Sequence, residues 1–171
     1  MLETPKELSQ LQELLDRSAA GAGPHMRDII TGERRLTAEQ VCEKLSGMRL
    51  LVLATVTADG RPVSGPTDGY FLHGSFHFTL GSSAVRARHL AARPAVTATH
   101  LPGTDLSVTV HGHAEPFDLH ADSDPARELR QAMLDHYLPL QGPAFREWLD
   151  QVDCVAARIA ADKMFTFSMA A

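Results

Sequence analysis

The sequence predicts a mainly β, α+β protein: an antiparallel barrel of six to seven strands with peripheral helices. Three observations carry this. Short apolar or alternating runs recur along the chain, with tight-turn residues between them. Helical spacing is confined to the N-terminus, to one insertion after the third strand, and to a stretch near residue 130. The long run from Leu106 to Phe117 alternates with period two over enough residues to cross a small barrel.

Taken in order, Leu8, Leu11, Leu14 and Leu15 place one face of a helix over residues 6–20, and Gly21-Ala22-Gly23-Pro24 breaks it. Thr37 followed by Gln40 reads as a capping box opening a second helix through Val41, Leu45 and Met48, ending near Gly47–Arg49. Residues 1–36 therefore form a helical appendage, and 37–171 the barrel domain. Leu50 to Thr57 is continuously apolar and β-branched, as a buried strand is. Asp59-Gly60 turns the chain into a strand that starts at Arg61 and ends at Tyr70-Phe71-Leu72. Pro62 and Pro66 donate no ladder bond, so part of this strand belongs at an edge, a bulge or a ligand site. His73-Gly74 turns into the alternating strand Ser75–Leu80. Ser82 or Ser83 is placed to cap a helix from Ala84 to about Ala92, stopped by Pro94. Strands follow at Ala95–Leu101 and Leu106–Phe117. Then come a helix opened at Pro125, a short helix at Ala144–Leu149, and two closing strands, Val152–Ala160 and Met164–Ser168.

Composition narrows the function classes. The net charge of -5 gives no basic excess for nucleic acid. No signal peptide or long apolar span is visible, so the expectation is a cytoplasmic protein with no membrane partner. Cys42 and Cys154 lie far apart and read as free thiols that pack as small hydrophobes. The nine histidines invite a metal reading, since His111 and His113 share a strand face, but no third ligand follows from the sequence and no metal site is assigned. Trp148 belongs to the core or to an interface.

The chemistry concentrates at residues 78–90. A strand end, a turn of small residues and a helix start come in succession there. Such a start presents free N–H groups and partial positive charge. Ser82 and Ser83 add hydroxyl donors, and Arg86 and Arg88 bracket the first turns, so the arrangement suits a phosphate. It is not a Walker loop, because the Gly-Lys-Ser/Thr ending is missing. The same residues also suit a capped surface helix with two solvated arginines.

From Leu51 to about Phe117 the chain resembles the pyridoxamine 5'-phosphate oxidase-like family, the flavin-binding split barrels, including its deazaflavin-dependent branch. Four stretches carry the likeness in order. They are Ala54-Thr55-Val56 with Ala58-Asp59-Gly60-Arg61-Pro62, then Pro66 leading to Tyr70-Phe71-Leu72. Phe76-His77-Phe78-Thr79 running into Val85–Leu90 and Arg93-Pro94-Ala95-Val96 is third, and Leu106–Glu115 with its Val-x-Gly-x-Ala pattern is fourth. Ala157-Arg158-Ile159 and Lys163–Phe167 look like that family's last strands.

The resemblance implies that Arg86 and Arg88 hold a cofactor phosphate, with contacts from Thr79, Leu80, Ser82 and Ser83. It also implies that Pro66, Thr67 and Asp68 run beside an isoalloxazine ring. The implied protein is a homodimeric oxidoreductase passing hydride between flavin mononucleotide (FMN) and a small substrate, with the cofactor between subunits. The alternatives are a coenzyme F-420-dependent reductase, whose longer acidic tail would call on Arg49, Arg61 or Arg93, and a non-catalytic barrel holding a cofactor or haem. His89 stands where the family commonly has Asn, and an aromatic near Asp68 is missing. Arg158-Ile159-Ala160-Ala161 replaces the Arg-Leu-x-Pro ending of true pyridoxamine phosphate oxidases, which disfavours that activity. No catalytic residue is assigned, because simple hydride transfer obliges none; Asp68, Tyr70 and His111 are the groups considered near the ring.

Overall fold

The computed structural model describes residues 2–169. Its elements are α1 (Pro5–Ala20), α2 (Pro24–Ile29), a 3-10 turn at Gly32–Arg34, α3 (Ala38–Lys44), β1 (Met48–Val56), β2 (Pro62–Leu72) and β3 (Ser75–Gly81). They continue through α4 (Val85–Ala92), β4 (Ala95–His100), β5 (Leu106–Phe117), α5 (Asp124–Gln141), α6 (Ala144–Gln151) and β6 (Cys154–Ser168). All neighbouring strands pair antiparallel, and the sheet closes in the order β1-β2-β3-β6-β5-β4. This is the expected α+β barrel with peripheral helices, and it has six strands.

The two expected closing strands are one. β6 runs unbroken past Ala161-Asp162 because β5 is long enough to pair with it from Leu106↔Ser168 to Phe117↔Ala156. The register slips once, where His111 faces Lys163 and Gly112 faces Ala161, so Asp162 is the extra residue of a bulge. Gly112 is required there. A Cβ on it would stand 2.1 Å from the Ala160 carbonyl oxygen.

Two further expectations change. α3 stops at Lys44 rather than near Gly47–Arg49, because Gly47 takes φ 76° and Met48 already pairs with Tyr70. β1 is not buried on both faces. Leu51, Leu53 and Thr55 point into the barrel, whereas Leu50 and Val52 point out and are 58% and 49% exposed.

Two apolar clusters organise the molecule. The first fills the barrel with Phe76, Phe78, Val108, Val110, Ile159 and Met164 and continues outward to Leu11, Leu14 and Leu15 of α1 and Val41 and Leu45 near α3. A capping box at Thr4 and Glu7 starts α1; its turns of leucine then face the sheet. The second cluster lies outside the barrel wall. Tyr70, Leu72 and Ala156 pack there under Leu129, Met133, Phe145 and Leu149 of α5 and α6. Burial on this scale, at about 25 cal/mol per Å² of apolar surface, is the main stabilising term. Cys42 is buried, with its thiol pushed up to about 12 mainly by that burial, and Cys154 is half-buried; both are free thiols.

The β2–β3 hairpin is pinned by an unusual turn residue. His73 and Gly74 both have positive φ, 53° and 74°, as a type I′ turn requires. The His73 imidazole lies between two helices, with Nδ1 2.9 Å from Glu7 of α1 and Nε2 2.9 Å from Glu128 of α5. Partial burial opposes its charge, yet Glu128 and Glu7 outweigh that and raise its pKa above the ordinary imidazole value. Both ring nitrogens then donate, which only the protonated ring can do. Stability from a raised histidine is complete below the unfolded-state pKa and is lost as pH rises through the folded one. The melting temperature should therefore fall as pH is raised from about 6 to about 8. His73→Asn, which tolerates the positive φ, should flatten that dependence. Identical pH profiles for the two proteins in thermal unfolding would contradict the assignment.

Candidate functional site

The barrel parts at one place. β2 pairs with β3 only from Gly69↔Phe78 to Leu72↔Ser75. Beyond that, Pro62–Asp68 keep β1 alone as partner, and Thr79–Gly81 keep β6 alone. The two prolines explain the parting. The Thr57 N–H donates to the Arg61 carbonyl at 2.9 Å, a hydrogen-bonded pair. By the antiparallel alternation Val56–Pro62, Ala54–Ser64 and Val52–Pro66 are then non-bonded pairs. The nitrogens of Pro62 and Pro66 thus face the open edge, where a missing N–H costs nothing to the β1 ladder. Ser64 and Asp68 turn their N–H and C=O the same way. The sequence expectation of an edge at these prolines holds.

α4 lies beside the opening. Arg86 lays its guanidinium on β2: Nη1 donates to Gly65 O at 2.7 Å and Nη2 to Pro66 O at 2.8 Å. Gly65 lies against the guanidinium, and a Cβ there would meet its carbon at 3.5 Å, an ordinary contact distance. Thr67 crosses the same gap with its hydroxyl donating to Thr79 O at 3.0 Å. Two further contacts tie α4 to β1. His89 Nδ1 lies 3.0 Å from the buried Thr55 hydroxyl, and Arg93 Nε donates to Val56 O at 3.0 Å. His89, the departure noted in the sequence, therefore anchors the helix.

The serines do not cap α4. Ala84 occupies the N-cap position, with no side-chain cap. Ser82 instead turns to the strand opposite: its N–H donates to Asp153 O at 3.3 Å and its hydroxyl donates to the Asp153 carboxylate. Ser83 is exposed, and its carbonyl accepts from Arg88 Nη1 at 2.8 Å. The first intrahelical bond runs from Arg88 N to Ala84 O, so the amides of Val85, Arg86 and Ala87 precede it with no side chain to cap them.

The electrostatics of this corner are unbalanced. Among the described residues neither Arg86 nor Arg88 has a carboxylate partner; both donate only to neutral carbonyls. Arg86 uses two of the five N–H donors of a guanidinium in these bonds. An uncapped helix start and two uncompensated cations thus flank the turn of residues 81–84, with the Asp153 carboxylate bound to Ser82 beside them.

The structure brings together Arg86, Pro66, Thr67 and Thr79 by direct contact, and Ser82, Ser83 and Arg88 around the turn. Leu80 is separated from them: its side chain is buried in the barrel core, so only its backbone borders the turn. Asp68 lies on the outer wall, where its carboxylate accepts from the Tyr137 hydroxyl of α5. Burial and that bond push the Tyr137 phenol up to about 12. Sequence reading missed this pair, because nothing local relates a strand residue to one on α5. Tyr137 starts an aromatic run through Phe145, ring centroids 4.9 Å apart, to Trp148 at 5.2 Å, and Trp148 is half-exposed. Tyr70 is 2% exposed, and its hydroxyl has no partner among the described residues. Burial, with Asp68 and Tyr137 nearby, raises its pKa well above the ordinary phenol range.

The histidines are dispersed by the fold. His111 faces the Thr97 hydroxyl at 3.0 Å and His113 faces Asp162 at 3.9 Å. His77 is buried against Phe117, held neutral with its pKa pushed down to about 4 chiefly by burial. Arg61 is paired with Asp59, Arg49 with the Lys44 and Met48 carbonyls, and Arg93 with Val56 O.

An unsatisfied buried hydroxyl costs about 1–3 kcal/mol. Tyr70→Phe should therefore leave the protein as stable or about 1 kcal/mol more stable, read as a higher urea midpoint. A drop in that midpoint would mean the hydroxyl has a partner.

No protein-family profile matches the chain, and no curated protein sequence does. Solved structures do match in fold. A conserved hypothetical protein from Mycobacterium tuberculosis superposes with TM-score 0.64 at 18% identity, covering 81% of this chain and 88% of that one. HutZ, the haem storage protein from Vibrio cholerae, gives TM-score 0.58 at 20% identity over 71% of this chain and 89% of its own. An F420 reductase gives 0.55 at 24% identity over 72% and 94%. These likenesses establish the split-barrel fold, the one the sequence resembles.

Proposed function

We propose that this protein is an oxidoreductase that binds FMN across the parting of β2 and β3, with the phosphate at Arg86, Arg88 and the start of α4. The observation that carries the reading is the pair of guanidinium groups without acid partners beside an uncapped helix start. Such a corner favours an anion by charge and by donor count. The F420 reductase and the haem storage protein that share the fold make coenzyme F-420 and haem the alternatives.

In this reading Arg86 stays on Gly65 O and Pro66 O and turns its remaining N–H groups to the phosphate, as a positioned donor with little freedom left to lose. Arg88 is exposed and leaves Ser83 O to join it. Ser82 and Ser83 border the phosphate, and the amides of Val85 to Ala87 meet it. Thr79 and Leu80 contribute backbone at the rim. Pro66, Thr67 and Asp68 line the ring's side of the site, where Asp68 N–H faces the open edge. The Tyr137–Asp68 bond holds that segment against α5. When bound, the flavin supplies the hydride chemistry; the chain's part is to bind, orient and shield it.

A second copy completes the site. β1 presents Leu50 and Val52 outward, and Leu101, 61% exposed, follows β4 beside them. This apolar stripe adjoins Pro66 and suits a twofold contact. Leu50→Asp with Val52→Asp should convert a dimer to a monomer in light scattering and weaken FMN binding with it. A dimer of unchanged stability would place the interface elsewhere.

Arg86→Ala with Arg88→Ala should weaken FMN by about 10²-fold or more, since charge-assisted bonds contribute about 1.5–3 kcal/mol each. Fluorescence quenching measures this, with circular dichroism to show the fold intact. Arg88→Ala alone, which touches no structural contact beyond the Ser83 carbonyl, should already cost about tenfold. Unchanged titrations would remove the site. Mass spectrometry of small molecules released from freshly purified protein separates FMN from coenzyme F-420 and haem.

A further inference from the structure

A different cavity lies between the N-terminal helices and β6. It encloses about 210 Å³ among Leu15 and Ala19 of α1, Met26 and Ile30 at α2, and Met164 and Phe165 of β6. A wider trench of about 430 Å³ continues from it and shares Ala22, Met26, Ile30, Phe165 and Thr166. The polar groups of its floor are already satisfied. The Thr166 hydroxyl accepts from Leu36 N at 3.0 Å, and Gln12 Oε1 accepts from Ala38 N at 2.9 Å.

Two features of this trench are unexplained by packing. α2 has six residues and buries none of them. A helix so short depends on tertiary contacts, yet its apolar Met26 and the following Ile30 line open space. The rim is also cationic. Arg27 and Arg35 line the enclosed part and Lys163 the far end, and among the described residues their side chains have no acid or hydrogen-bond partner. One carboxylate, Asp16, stands at the same rim and accepts from Gln12 Nε2 at 3.1 Å.

We propose that this trench binds an anionic amphiphile: a molecule with one carboxylate or sulfonate group and an apolar body. The body lies between Met26, Ile30 and Phe165, giving α2 the apolar contact it lacks, and the anion is held by Arg27 and Arg35. The site is separate from the parting of β2 and β3 and does not depend on the function proposed there.

The test uses 8-anilinonaphthalene-1-sulfonate as fluorescent probe and decanoate as competitor, on the full chain. The expected result is one saturable site, displaced by decanoate and indifferent to saturating FMN. Arg27→Gln with Arg35→Gln should weaken it by about tenfold or more. Ala22→Trp, which fills the volume shared by both parts, should abolish it while circular dichroism stays unchanged. Non-saturable binding, displacement by FMN, or wild-type affinity in the arginine variant would overturn the proposal. Should Ala22→Trp fail to fold, the arginine variant, altered only at exposed side chains, decides alone.

Discussion

The candidate site depends on a sheet that stays closed while two of its strands separate. β2 and β3 share four residue pairs and then diverge, each retaining its other neighbour. The gap leaves the Pro66 carbonyl on the open edge with no strand partner. Arg86 gives that carbonyl a donor and a second N–H to Gly65 O, and the Thr67 hydroxyl donates across the gap to Thr79 O. A cation is thereby fixed in the wall of the barrel with no acidic partner among the described residues. The contact that seals the gap is also the one that charges it.

The remaining structure steadies this corner from several sides. His89 and Arg93 fasten α4 to β1, so the helix start cannot drift from the strands it serves. Ser82 binds Asp153 just ahead of β6, which fixes the turn at its other end. α5 holds the far end of the open strand through Tyr137 and Asp68. Each tie joins segments distant in sequence, so the geometry is a product of the closed barrel and not of any one element. Long-range ties of this kind narrow the positions open to a guanidinium and make an arriving ligand's ordering cost smaller.

The N-terminal helices are joined to the barrel unevenly. α1 enters the barrel's own core through its leucines, and Glu7 meets His73 on the opposite hairpin. α2 makes no comparable contact and leaves volume beneath it. The first 36 residues thus contain a part that shares the barrel's core and a segment whose apolar Met26 and Ile30 line open volume.

Much of this was legible in the residues themselves. Period-two alternation in 106–117, the Asp59-Gly60 and His73-Gly74 turns, and the Thr37–Gln40 cap are local, and local sterics and hydrogen bonding decide them. So is the placement of Pro62 and Pro66 at a free edge, because a residue without an N–H has few positions in a sheet. What the chain could not declare was every feature set by a partner remote in sequence. Leu50 and Val52 look like core until closure turns one face of β1 outward. Ser82 looks like a cap until Asp153 takes its hydroxyl. Two closing strands merge because β5 is long enough to support both. Arg86 reads as a helix cation in the sequence, and only the parting of two strands gives it carbonyls to hold, since strand divergence is a property of the whole sheet.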